Sequence, residues 1–210
     1  MEELEVEIIL PQAPEVPQLE QGLAKLLKLP LHNRGMTSTF DRMLDTDDYA
    51  LLAQEHSLRV RQKLDNVYAG NEIRLTYKYP LRQHDRLFIR AEHKIKLAEP
   101  DYDKVQSMLN ALAGGLSRQK LATALHIREL ANESYLGEKG ERISLSIDQC
   151  TYTLPDKDDG GPVEYVCEIE SHGVSEELVL KASDWVLAKL GGREAKQSKY
   201  ARGLRLLGRL

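Results

Sequence analysis

The segment Ser57-Leu58-Arg59-Val60-Arg61-Gln62-Lys63-Leu64 decides how the rest of the chain is read. As a β-strand it puts Arg59, Arg61 and Lys63 on one face, and Leu58, Val60 and Leu64 on the other. Successive strand side chains point to opposite faces. Three cations in a row repel one another, so the row suits water or a polyanion. For one strand alone, a solvated face is the commoner reading. The pattern recurs on other strands, and some of those carry carboxylates.

Working outward, residues 72–79 return as a strand with Arg74, Thr76 and Lys78 opposite Ile73, Leu75 and Tyr77. Residues 85–97 alternate most clearly, with Arg90, Glu92, Lys94 and Lys96 opposite Leu87, Ile89, Ala91, Ile95 and Leu97. At the N-terminus Glu3, Glu5 and Glu7 oppose Leu4, Val6 and Ile8. Near the C-terminus Glu164, Glu168 and Glu170 oppose Tyr165, Cys167 and Ile169. Further strands are expected at 36–44, 123–135 and 142–148. Helical periodicity or capping chemistry marks 18–29, 49–54, 101–114, 175–190 and 196–210.

The apolar helix stripes need apolar strand faces to bury against. Helices outside a curved antiparallel sheet would turn the charged faces inward, and a closed sheet would enclose a polar channel. The rival is an open sheet with its charges in solvent; periodicity does not separate the two. Charges of both signs inside a barrel are costly unless paired, hydrated or bound to ions. Arg and Lys rows suit phosphate oxygens. Neighbouring carboxylates would repel a polyphosphate unless a hard divalent ion lay between, and glutamate oxygens suit magnesium or manganese.

With 210 residues, length favours one domain over 1–210. The net charge of −4 argues against general nucleic-acid binding through a basic surface. The two cysteines, Cys150 and Cys167, are too few for a disulfide scaffold and suit a reduced, cytoplasmic setting, although a pairing between neighbouring strands is conceivable. The sequence shows neither a signal peptide nor an apolar run long enough to span a membrane. There is no Walker-type glycine loop and no nucleophile elbow.

In order, these residues resemble the CYTH, or triphosphate tunnel metalloenzyme, superfamily. Glu5 and Glu7 sit where its E-x-E-x-K motif begins. Leu44-Asp45-Thr46 with Ser57-Leu58-Arg59-Val60-Arg61 is similar to its F-D-T and A-L-R-V-R region, and Leu75-Thr76-Tyr77-Lys78 to its L-T-x-K strand. Arg90-Ala91-Glu92 falls at the next charged strand. His126-Ile127-Arg128 resembles a K-x-R pair, Asp148 the acid after the next strand, Glu168-Ile169-Glu170 the second E-x-E, and Ser198-Lys199-Tyr200 the C-terminal S-K-Y. Each piece is short; their order and spacing along nearly the whole chain carry the resemblance.

The resemblance implies an α+β fold: an eight-stranded antiparallel β-barrel forming a tunnel, with helices packed outside. It implies that Arg59, Arg61, Lys78, Arg90, Arg128 and Lys199 bind a triphosphate. Glu5, Glu7, Glu92, Asp148, Glu168 and Glu170 would hold Mg2+ or Mn2+, and Glu168, Glu170 and Lys78 would carry the hydrolysis of a phosphoanhydride bond. The expected partner is a small-molecule triphosphate, inorganic or organic such as thiamine triphosphate, with no nucleic acid and no membrane, in a monomer or homodimer. Two departures stand out: Ile9 occupies the place of the E-x-E-x-K lysine, and His126 replaces another. Pairing Glu3 with Glu5 instead puts Glu7 at the lysine position. Within the family a class IV-type adenylyl cyclase stays open as an alternative, ranked lower because the sequence shows no base-recognition site, and the departures keep a non-catalytic polyphosphate- or nucleotide-binding module open. Arg202, Arg205 and Arg209 read as a solvated helix face.

Overall fold

The computed structural model describes residues 2–64, 73–84, 86–97, 103, 105, 107, 120–138, 140–157 and 160–210. Its strands are β1 (Glu2–Leu10), β2 (Leu31–Asp45), β3 (Ser57–Lys63), β4 (Ile73–His84), β5 (Leu87–Leu97), β6 (Ala122–Glu138), β7 (Glu141–Thr153), β8 (Val163–His172) and the two-residue β9 (Arg193–Glu194). The helices are α1 (Val16–Leu27), α2 (Glu176–Leu190) and α3 (Lys199–Leu206). The strands run in the order β5-β4-β3-β2-β6-β7-β8-β1-β9, and an additional β5–β1 pairing closes the sheet. Every pairing is antiparallel. Eight strands thus form a barrel with no open edge, and β9 pairs with the end of β1.

The alternation read in the sequence decides which face each helix covers. Val6, Ile8, Ile143, Leu145, Ile147 and Ile169 form an outer apolar patch under Leu19 and Leu23 of α1 and Val179, Ala182 and Val186 of α2. Full burial of each such side chain contributes about 1.5–3 kcal/mol. A Cβ on Gly22 would lie 2.3 Å from the Trp185 ring, so α1 and α2 meet closely only with glycine there. Ser175 caps α2, its Oγ accepting from the Leu178 N–H at 3.3 Å. On the far side of the barrel Leu58, Val60, Leu75 and Tyr77 pack with Val105. The helix expected over 101–114 lies largely outside the described residues; 103, 105 and 107 are helical.

One end of the barrel is not polar. Met43, Leu125, Ile127, Cys150, Tyr152 and Val166 form an apolar plug with Tyr200 and Leu204 of α3. Gly203 permits the approach: a Cβ there would lie 2.5 Å from the Tyr152 ring and 2.7 Å from Leu125. The interior is therefore half apolar core and half charged tunnel, where the alternation implied charge throughout.

Smaller expectations change as well. β2 begins at Leu31, and the expected 49–54 helix shrinks to a 3-10 turn, Leu52–Gln54. Asp45 pins that turn by accepting from the Thr46, Leu51 and Leu52 N–H groups at 2.8, 2.9 and 3.1 Å. The last helix starts at Lys199 because residues 193–194 pair with β1 and Ser198 caps it. Cys150 and Cys167 are free and buried. Cys150 belongs to the interior plug and Cys167 to the outer patch, so the conceivable disulfide is excluded by opposite strand faces.

Candidate active site

The charged half of the interior is a cavity of about 380 Å³. Its acidic wall comes from two strands in register: Glu5 lies opposite Glu170 and Glu7 opposite Glu168. Like charges directly opposite are destabilising, so cations must reach them. Lys78 Nζ lies 2.7 Å from Glu3 and 3.8 and 3.7 Å from Glu5 and Glu92. Arg90 bonds to Glu5 and lies 3.6 Å from Glu3 and 3.8 Å from Glu7. Arg202 bridges Glu7 at 2.7 Å and Glu164 at 2.9 Å.

The opposite wall is built around Asp41. Arg61 grips it with Nε at 2.7 Å and Nη2 at 2.8 Å, and Arg59 approaches at 3.3 Å. Arg61 also reaches Glu129 at 3.1 Å. Lys199, at the start of α3, places Nζ 2.7 Å from Glu129, 2.5 Å from Asp148 and 2.9 Å from Glu168. Two cations of α3 thus enter the barrel from its plugged end.

Burial and pairing pull the carboxyl groups apart. Burial pushes Glu5 up, but Arg90 and Lys78 outweigh it and hold the group well below the usual range. Glu129 behaves likewise, with Arg61 and Lys199 winning over burial. Burial raises Glu7 to about 7 despite Arg202, with Glu5 and Glu168 adding repulsion. Glu170 is raised to about 7 by burial and by Glu3 and Glu5. Asp148 is raised to about 8 by burial, against Lys199.

Two side-chain sets have ligand atoms within 4.8 Å of one another: Glu5, Glu7 and Glu168, and Glu129, Asp148 and Cys150. The first offers hard carboxylate oxygens beside the open cavity and fits magnesium or manganese. The second contains a thiol that burial keeps protonated, and a neutral sulfur is a soft, poor ligand for such an ion. It does not fit a hard ion.

Of the residues expected at the site, Arg59, Arg61, Lys78, Arg90, Lys199, Glu5, Glu7, Glu92, Glu168 and Glu170 line one cavity. Asp148 is buried behind Lys199. Arg128 is a correction: it is exposed on the outer face, 5.8 Å from the Phe40 ring centre. His126 also packs on Phe40. The interior face of β6 presents Ile127 and Glu129 instead. Arg202 is a second correction, buried between two carboxylates rather than solvated. Sequence reasoning missed Asp41 and Glu129. The signal for Glu129 was present, since Leu125, Ile127 and Glu129 share one strand face.

No protein-family profile matches the chain, and no characterised protein matches it in sequence. Solved structures do match in shape. The PH1819 protein of Pyrococcus horikoshii OT3 shares 20% identity at a TM-score of 0.59, over 98% of this chain and 99% of that one. The Hippeastrum protein HpAC1, assigned as an adenylyl cyclase and revealing a dominant triphosphatase activity, shares 16% identity at 0.59, over 99% and 97%. A protein from Bacillus halodurans assigned as an adenylate cyclase shares 18% at 0.58, over 96% and 97%. The chain has the CYTH, or triphosphate tunnel, fold. In this tunnel the two facing E-x-E pairs, the Arg59-x-Arg61 strand and Lys199 occupy the walls of one cavity.

Proposed function

We propose that the tunnel hydrolyses a triphosphate with the help of a divalent ion held by Glu5, Glu7 and Glu168. The supporting observation is charge exchange: each interior cation is already matched to a carboxylate. A metal–triphosphate complex can replace both halves of those pairs together. The ion takes the carboxylates, while Arg59, Arg61, Lys78, Arg90 and Lys199 turn to phosphate oxygens. Arg61 meets Asp41 through Nε and Nη2, the same bidentate geometry that two phosphate oxygens would take in its place.

A bound divalent ion would neutralise phosphoryl charge and acidify a water. Glu170, with its carboxyl raised to about 7, is suited to accept the proton of the attacking water near neutral pH. Lys78 and Arg90 would offset charge on the departing phosphate. Arg202 supplies Glu7 with a cation from α3 where the strand itself carries Ile9.

An organic triphosphate is the second reading. A cavity of about 510 Å³ adjoins the tunnel at Arg90 and Ser198 and is lined by Tyr49, Leu52, Phe88 and Lys196 among others. It has the apolar and aromatic surface that an organic group would need.

The test is phosphate release from tripolyphosphate, thiamine triphosphate and ATP with magnesium or manganese, beside Glu168→Ala and Glu170→Ala. Metal-dependent release lost in both variants is expected. Release unchanged in both would remove the carboxylate assignment. Binding without release would leave a non-catalytic module.

A further inference from the structure

We propose that the open mouth of the tunnel is an extension site for linear inorganic polyphosphate longer than three phosphates, held by Arg34, Lys63 and Arg142. The inference rests on the reading that the tunnel itself holds a triphosphate.

The antiparallel order puts the N-terminal half of β2, the C-terminal end of β3 and the N-terminal end of β7 at the same rim, opposite α3. These segments carry Arg34, Lys63 and Arg142, and all three line the cavity. Inside, each of Arg59, Arg61, Lys78, Arg90 and Lys199 has a carboxylate within 4.0 Å. At the rim, Arg34, Lys63 and Arg142 have no carboxylate partner among the described residues. Among the described residues the rim also carries Glu133, which accepts from the Thr37 hydroxyl at 3.1 Å, and Glu170, which lies 3.6 Å from His172. Three cations with no carboxylate partner among the described residues therefore stand where a phosphate chain would leave the tunnel.

The chemistry favours a bare phosphate chain over a nucleic-acid end. Among the described residues the rings near Arg142 are already stacked: His32 lies on Tyr135 with centroids 4.6 Å apart, and Arg142 lies over the same Tyr135 ring at 5.6 Å. The cavity lining contains neither Asn nor Gln among the described residues. Repeating phosphates need only cations.

The test is isothermal titration of the full chain carrying Glu170→Gln with tripolyphosphate and with medium-chain polyphosphate, at low ionic strength and with magnesium present, so that the metal complex forms while turnover is blocked. The longer chain is expected to bind about tenfold tighter, as three exposed charge pairs allow. The combined variant Arg34→Gln, Lys63→Gln, Arg142→Gln should erase that gain and leave tripolyphosphate affinity unchanged. Arg128→Gln, on the outer face, should leave the gain intact.

Equal affinity for both chains would overturn the extension site while leaving the tunnel reading in place. Binding of the long chain alone, through the rim residues, would overturn the tunnel reading and keep the rim. Binding of neither would end both. An equal gain from a 5′-triphosphorylated oligonucleotide, or loss of the gain in Arg128→Gln, would also overturn the proposal.

Discussion

Arg202 reaches from α3 into the plugged end of the barrel and sets Nη1 2.7 Å from Glu7 Oε2. The same guanidinium donates to Glu164 at 2.9 Å, and the Tyr152 hydroxyl donates to that carboxylate at 2.9 Å. A helix outside the β1–β8 sheet pair thus holds its acidic wall in place. Arg202→Met removes the cation from Glu164 and leaves Glu7 only Arg90, at 3.8 Å. The expected loss is about 3 kcal/mol at neutral pH, read from the urea midpoint. A loss below about 1 kcal/mol would place the pair with ordinary surface ion pairs.

Arg59 and Arg128 make a matched comparison, one on the tunnel wall and one outside it. Arg59→Gln is expected to lower tripolyphosphate turnover at least about tenfold, the worth of one charged hydrogen bond. Arg128→Gln should leave turnover within about twofold. Steady-state rates on the two proteins check the strand face directly, and a reversed order would contradict the β6 placement.

The Glu5–Glu7–Glu168 set predicts metal affinity. Glu168→Gln keeps the shape and removes one charge, so manganese binding should weaken at least about tenfold. Cys150→Ser touches only the second set and should leave manganese affinity unchanged. Electron paramagnetic resonance of free manganese distinguishes the outcomes.

The pH dependence has a definite sign. Glu7 and Glu170 are raised from 4.5 to about 7, so the folded chain keeps protons that the unfolded chain releases between those values. Their effect is a stability that falls as pH rises from about 4.5 to about 7. Glu5 and Glu129, held low, act the other way: their contribution is present above 4.5 and lost as pH falls below it. A metal on Glu7 must displace its proton, so manganese should bind more tightly at about pH 7.5 than at about pH 5.5. Calorimetry at both values tests this; equal affinity would exclude Glu7 as a ligand.

Gly203 lies against Tyr152 and Leu125 inside the barrel. Gly203→Ala should cost about 1–3 kcal/mol through overpacking. Because α3 carries Lys199 and Arg202, the variant should lose turnover as well as thermal stability. Lower stability with full turnover would separate α3 seating from the site.

The sequence alone determined the two faces of each strand. A period of two is local, so Arg59 and Arg61, Glu5 and Glu7, and Glu168 and Glu170 were legible as like-facing sets before any fold was known. The apolar stripes of α1 and α2 were legible for the same reason. Which face is inside is not local. On β6 the apolar face of Leu125 and Ile127 turns inward because α3 fills that end of the barrel with Tyr200 and Leu204. That carries Arg128 outside and Glu129 in. Register is not local either: Glu5 meets Glu170, and Arg61 meets Asp41, only once strands distant in sequence pair. The charges came from the sequence, and tertiary structure decided their partners, because Coulombic pairing depends on separation in space and not along the chain.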